Sequence, residues 1–177
     1  MEAVRINIVG TMNVINACHE TGARLIHMSS DKAINPDNVY GKTKSLAEEM
    51  VTVAGFLNIR SGNVLWSSGS VLPIWKKQIE TTNSINVTSM EMTRFFINVE
   101  ELVSFIWESR DKKGVVTIPM SSFRIADIVA EFLIRYGNKD TEVNIIGLRP
   151  GERLHEFRDR ETSSEHCLND DLTYIFK

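Results

Sequence analysis

The sequence holds only two cysteines, four prolines and no apolar run long enough to cross a bilayer. Cys18 and Cys167 cannot build a disulfide framework or a structural zinc site, so free thiols in a reducing compartment are expected. No apolar stretch reaches the roughly 18 residues of a membrane span. The N-terminus lacks a basic region followed by an apolar run, so it does not read as a secretory signal. A basic excess is missing too: the formal net charge is -3 and the pI about 5.8. That argues against broad nucleic-acid or anionic-membrane partners, while leaving local anion sites open. His19, His27, His155 and His166 show no metal-ligand spacing, so no metal is expected. Internal repeats, low-complexity tracts and Pro/Ser linkers are absent. What remains is ordinary globular material, 42% apolar and 24% charged over 177 residues. It is enough for a real core, in one domain or in one small domain plus part of another. A cytoplasmic protein is the expectation.

The order of elements reads α-β-α-β from the start. Val4, Ile8, Met12 and Ile15 form one apolar stripe at helical spacing. Gly22 after Thr21 is placed to end that helix. Leu25 to Met28 reads as a short buried strand with Ser29-Ser30-Asp31 at its carboxyl end. A Pro36 loop leads to a helix over about 38–54, and Leu57 to Ser61 is a second strand. Such alternation implies parallel strands covered by helices. Further on, a helix is expected over 71–80 and a strand at Thr93 to Ile97. Asn98 can cap a helix over Val99 to Ser109. A strand follows at Val115 to Ile118, then a helix over 123–136 capped by Ser122 and ended by Gly137, and a last strand at Val143 to Leu148. The tail from Phe157 is charged and weakly patterned, and Glu161, Glu165, Asp170 and Asp171 read as a solvated acidic surface.

The chemistry gathers where the first strand ends. Tyr40 and Lys44 lie one helical turn apart and share a face. A phenol, with a pKa of about 10, is a poor base at neutral pH. A neighbouring cation and the positive end of a helix both favour the phenolate. Such a pair can move a proton to or from a sugar hydroxyl during hydride transfer. By itself the tetrapeptide also fits a plain surface helix. Asp31 and Lys32 follow a buried strand, and open α/β sheets bind ligands at the carboxyl ends of their strands. An adjacent acid and base there can serve neighbouring carbons as donor and acceptor. Standing alone, they read first as a solvated loop ion pair.

Met28-Ser29-Ser30-Asp31-Lys32-Ala33-Ile34-Asn35-Pro36 and Tyr40-Gly41-Lys42-Thr43-Lys44 together resemble the active-site segment of nucleotide-sugar 4,6-dehydratases. These are extended short-chain dehydrogenase/reductases, and the nearest group acts on UDP-N-acetylglucosamine in polysaccharide and glycan pathways. The resemblance continues through Arg60 to Val64, Gly69 to Pro73, Glu91 to Phe96 and Gly147 to Arg153, with Asn7-Ile8-Val9-Gly10-Thr11 upstream. It runs from Ala3 to Glu156 in one order. The Ser-Asp-Lys-Ala loop and the Arg-Pro-Gly-Glu segment are its specific parts, whereas Tyr-x-x-x-Lys is shared by the whole superfamily.

The resemblance implies an α/β fold. It is the C-terminal part of a Rossmann-type doubly wound parallel sheet plus a small α/β substrate-binding region. Residues 1–65 would be the first, and 66–177 mainly the second, with about 94–110 returning to the Rossmann part. It implies a redox-neutral lyase with NADP or NAD as bound catalyst. Tyr40 would be the base at sugar C4, Lys44 would hold the nicotinamide ribose, Lys32 would take the C5 proton and Asp31 would protonate the departing C6 hydroxyl. Ser29 and Ser30 would line the cofactor. Arg94 and Arg149 would grip the pyrophosphate of a UDP-sugar, Glu152 its ribose, and Asn63, Gly69 and Ser70 would add contacts at the start of a helix. Without the resemblance, Arg94 reads as a partner of Glu91 or Glu100, and Arg149-Pro150-Gly151 as a turn. Asn7 would orient a catalytic water or backbone group, or else sit on the helix surface.

Two departures stand out. Trp66 occupies a position where relatives usually have glycine, and its ring is expected to reshape the pyrophosphate loop. No G-x-G-x-x-G or G-x-x-G-x-x-G occurs in the chain, so the N-terminal half of the Rossmann domain is expected to be missing. The strand at 25–28 would then be left with an unpaired apolar edge. Three readings follow. One is the C-terminal portion of a dehydratase, working with a separate N-terminal half chain or within a longer one, in a homo-oligomer. Another is a non-catalytic remnant that binds a UDP-sugar or a partner subunit. The third is a UDP-sugar 4-epimerase, which has no use for an acid-base couple at C5 and C6.

Overall fold

The computed structural model describes residues 1–176. It is an α/β fold that divides into two compact units. One comprises Met1–Ser61, Glu100–Pro119 and Phe157–Thr162, and the other Gly62–Val99, Met120–Glu156 and the tail from Ser163.

The first unit is built on a parallel sheet in the order β1-β2-β6. Its strands are β1 (Ile26–Ser30), β2 (Leu57–Ser61) and β6 (Gly114–Thr117). Ile26 stands opposite Leu57, and Leu57 opposite Gly114. Helix α3 (Val39–Val53) packs on these strands and buries Ala47 and Val51, while β2 buries Leu57 and Ile59. Asn38 starts it by accepting a hydrogen bond from the Gly41 amide, 2.8 Å away. Helix α5 (Val99–Ser109) completes the unit.

The opening helical stretch differs from the expected stripe. It consists of α1 (Glu2–Val4), a π-helical segment (Arg5–Gly10) and α2 (Thr11–Thr21). A π segment inserts residues into the 3.6-residue period and rotates everything beyond it. Of Val4, Ile8, Met12 and Ile15, only Ile15 is buried; Val4, Ile6, Val9, Met12 and Val14 are exposed. Gly22 closes α2 in the left-handed conformation, φ 69°, as its position suggested.

The second unit has two small sheets. In one, β3 (Asn63–Val64) runs parallel to β5 (Thr93–Ile97), and β5 pairs antiparallel with β7 (Ser121–Arg124). In the other, β4 (Ser84–Val87) runs parallel to β8 (Glu142–Ile145). Helices α4 (Val71–Thr82) and α6 (Ile125–Tyr136) supply Leu72, Trp75, Ile128 and Phe132 to one apolar core with Ile85, Phe96 and Phe123. Ser122 does not cap α6. It lies within β7, and its buried hydroxyl donates to the Ser164 carbonyl, 2.6 Å away. The last strand ends at Ile145, because Gly147 turns the chain at φ 80°.

The tail combines exposed acids with buried apolar residues. Ile175 is 1% exposed, Tyr174 stacks on Phe123, and Trp66 donates its indole N–H to the Ile175 carbonyl at 3.0 Å. Trp66, at φ 55°, thus packs onto Tyr136 and Phe176 in the core of its unit. No helix among the described residues is long and apolar enough to cross a membrane.

Candidate functional site

The reactive groups of the first unit hang on the carboxyl end of β1 and the first turns of α3. Beyond Ser30 the chain makes one 3-10 turn, Asp31–Ala33, held by the Ser30 hydroxyl accepting from the Lys32 amide at 3.2 Å. The same hydroxyl donates to Asp31 Oδ1 at 3.0 Å, and Lys32 Nζ lies 2.9 Å from that oxygen. Asp31 is 1% exposed, and its Oδ2 is buried without a hydrogen-bond partner among the described residues. A buried polar atom without a partner is costly. Here it leaves one carboxyl oxygen open to a proton or a ligand hydroxyl.

Gly41 brings this turn onto α3. A Cβ at Gly41 would lie 2.5 Å from the Lys32 carbonyl oxygen and 3.0 Å from the Pro36 Cβ. Only a hydrogen lets the helix and the turn approach so closely. Tyr40, just before it, stands 47% exposed. One turn on, Lys44 donates from Nζ to the Met28 carbonyl at 2.7 Å. Burial lowers the Lys44 ammonium from its ordinary value, and the Glu48 carboxylate works in the opposite direction.

Ser29 points inward rather than to solvent. Its hydroxyl donates to Glu48 Oε2 at 2.7 Å. Arg60 completes the cluster from β2, with Nε 2.8 Å from Oε2 and Nη2 2.5 Å from Oε1. Asn58 gives both amide hydrogens away, to the Glu48 carbonyl and the Thr52 hydroxyl. Its oxygen therefore accepts from His27 Nδ1 at 2.8 Å. Burial lowers the His27 imidazole from its ordinary value, and the Lys44 charge adds to the effect, against the Asn58 bond and the Glu48 charge. Asn7, on the π-helical segment, reaches α3 by donating to the Thr43 hydroxyl at 3.0 Å.

The second unit holds the candidate anion-binding groups. Arg94 is 8% exposed and serves backbone carbonyls: Nη1 donates to Thr93 and Leu154 at 2.7 and 2.8 Å, Nη2 to Arg153 at 2.8 Å. Its Nη2 also lies 3.9 Å from Glu152 Oε1. Glu152 closes the turn after β8, where its Oε2 accepts from the Arg149 amide at 3.2 Å and its own amide donates to the Arg149 carbonyl. The Arg149 side chain is exposed. Arg94, Arg149 and Glu152 are thus brought together. Asn63 spends its amide on the Phe95 carbonyl at 3.0 Å. Gly69, at φ 76°, and Ser70 form the turn into α4, and the Ser70 Oγ is buried without a partner among the described residues.

Sequence reasoning passed over Glu48 and Gly41. Glu48 continues the Tyr40–Lys44 spacing by one more turn, a signal that was present. Gly41 carries no such mark, since a glycine inside a helical pattern gives no hint of what approaches it.

The family model described as polysaccharide biosynthesis protein matches residues 1–175. A UDP-N-acetylglucosamine 4,6-dehydratase (inverting) of Campylobacter jejuni is 36% identical over 191 residues, covering all of this chain and 54% of that protein. A UDP-glucose 4-epimerase of Rickettsia bellii is 30% identical, over 88% of this chain and 49% of its own length. The X-ray structure of Pen from Bacillus thuringiensis superposes with a TM-score of 0.85 at 32% identity, covering 89% of this chain and 54% of that one. The chain spans about half, or less, of the length of the curated relatives it matches.

Proposed function

The chain belongs to the polysaccharide biosynthesis protein family, and from that premise we propose that it serves nucleotide-sugar 4,6-dehydration, turning UDP-N-acetylglucosamine into a UDP-4-keto-6-deoxy sugar. The observation that carries this reading is the Asp31–Lys32 pair. It offers an acid and a base 2.9 Å apart at the end of β1, with one carboxyl oxygen buried and without a hydrogen-bond partner among the described residues. Dehydration across C5 and C6 needs a base that takes the C5 proton and an acid that gives one to the leaving hydroxyl. One proton passing from Lys32 Nζ to the Asp31 carboxylate converts the ammonium–carboxylate pair into amine and carboxylic acid. Those are the two states the elimination consumes, with no change in total charge. Asp31 holds the proton for the C6 hydroxyl, and Lys32 receives the one from C5.

Tyr40 accepts the proton of the C4 hydroxyl, with Lys44 one helical turn along the same face. A nicotinamide cofactor, when bound, takes up and returns the hydride. Tyr40 and Lys44 fit its nicotinamide-ribose end: a half-exposed phenol and an ammonium share one helix face. The chain has no glycine-rich phosphate loop, so the residues present fit that end alone. Ser29 is engaged with Glu48, which leaves Ser30 as the nearer serine to the reacting groups. In the second unit, the exposed Arg149 is the residue for a diphosphate, with Glu152 for a ribose hydroxyl. Arg94, already spent on carbonyls, holds their turn in place.

Epimerisation is the competing reading, favoured by the Rickettsia relative. It needs Tyr40 and Lys44 but has no use for Asp31 and Lys32. The deciding experiment incubates the chain with UDP-N-acetylglucosamine and NADP or NAD, alone and with the glycine-rich half of a relative. Formation of a 4-keto-6-deoxy product, abolished by Lys32→Ala with Tyr40 intact, supports dehydration. A 4-epimer instead, with Lys32→Ala as active as the parent, favours the epimerase. Bound UDP-sugar with no product in either mixture leaves a non-catalytic binder.

A further inference from the structure

Glu48 carries the third acidic or basic side chain on the α3 face that begins with Tyr40 and Lys44, and it has no part in the chemistry above. It is a carboxylate 6% exposed, an expensive placement unless its partners are fixed. Those partners are named: Ser29 on β1 and Arg60 on β2. Its backbone carbonyl receives Asn58, which in turn orients His27. Lys44 and Glu48 therefore grip two consecutive residues of β1, Met28 through its carbonyl and Ser29 through its hydroxyl. Those residues lead directly into Asp31 and Lys32.

We propose that Glu48 is a positioning residue for the acid–base cluster: its buried carboxylate, bonded to Ser29 and Arg60, locks α3 to the carboxyl end of β1. This deepens the reading of the Tyr40–Lys44 face as catalytic and rests on it. Two observations beyond the hydrogen bonds agree. Burial acts to discharge Lys44, and Glu48 opposes it. Glu48 likewise opposes the burial of His27. The other charged or titratable groups on elements packed against α3 are His27 on β1, Asp31 and Lys32 on the 3-10 turn, Arg60 on β2, Arg5 on the π-helical segment, and Glu2, Cys18, His19 and Glu20 on the neighbouring helices. Tyr40, Lys42 and Glu49 lie on α3 itself.

The test is a pH titration of the whole chain followed by NMR, reading the Lys44 side-chain and His27 ring signals. It requires no substrate, so it stands even if no dehydration is found, and its failure leaves the roles of Asp31 and Lys32 untouched. In Glu48→Gln, both midpoints are expected to move to lower pH, and Glu48→Asp is expected to restore Lys44 most of the way. A folded Glu48→Gln in which neither midpoint moves overturns the proposal. Breaking a buried ion pair can unfold a protein, so Glu48→Gln/Arg60→Met, which removes both charges together, is read in the same way.

Discussion

The two units differ in what their buried charged groups are bonded to. The second packs Leu72, Trp75, Phe96, Phe123 and Phe132 into one core and commits its buried arginine mainly to backbone carbonyls, with Glu152 and the Met92 sulfur beside it. The first keeps a buried carboxyl oxygen without a hydrogen-bond partner among the described residues; it leaves Ile6, Val9, Met12 and Val14 in water, as the second leaves Ile134 and Ile145. A group already satisfied by its own fold has little left for a substrate, and one held short of its partners keeps its reactivity. Under the proposed function the second unit serves mainly as a scaffold with a few exposed contacts, and the first carries the proposed bond-making groups.

The sharpest way to break this contrast is to cut the cores. Phe132→Ala in the second unit should lower stability by about 3–5 kcal/mol, whereas Ile6→Ser on the exposed helix should stay within about 0.5 kcal/mol. Urea unfolding of both variants checks the pair, and equal losses would erase the distinction. Next in size, Arg94→Met should cost about 1.5–3 kcal/mol, the worth of hydrogen bonds from a charged donor to carbonyls left behind. Arg149→Met should leave stability unchanged and weaken binding of UDP, read by calorimetry. If Arg94→Met folds as well as the parent and only loses UDP, the arginine is a ligand group and not a clamp.

Gly41→Ala comes third. Its methyl group would press on the Lys32 carbonyl, and an overpacking loss of about 1–3 kcal/mol is expected. The Asp31 and Lys32 amide signals should shift with it, and an unperturbed spectrum would show that the turn and α3 are not held so tightly.

The smallest expected effect is one of pH. His27 binds its proton less readily folded than unfolded, so its contribution is complete above pH 6.5 and is lost as the pH falls below that value towards the folded one. Stability measured at pH 5 should therefore fall short of that at pH 7, and His27→Gln should flatten the difference.

The strands β2 and β5 and helix α5 were legible to the residue because each is a short apolar run or stripe with a turn or cap beside it. β4 was not: only Ile85 and Val87 face inward, and Ser84 and Asn86 between them read as loop. Ser122 resembled a helix cap because its real partner, Ser164, lies 42 positions away. The π-helical segment escaped because a stripe counted at 3.6 residues per turn assumes an unbroken helix. Within the candidate site, Asp31, Lys32, Tyr40 and Lys44 were marked by neighbourhood in the chain. What decides their state is not marked there. The unpartnered Oδ2 of Asp31, the Glu48–Arg60 pair and the hydrogen-sized gap at Gly41 arise only when distant segments meet.

The contact between Trp66 and the Ile175 carbonyl, 109 positions along the chain, has a consequence for biosynthesis. Contacts of such separation delay folding, since a long loop must close before they form. The core of the second unit contains residue 175, so it stays open while nearly all of that unit is being translated. A nascent chain stalled before that point exposes Trp66, Phe123 and Phe132, the kind of apolar surface that chaperones engage.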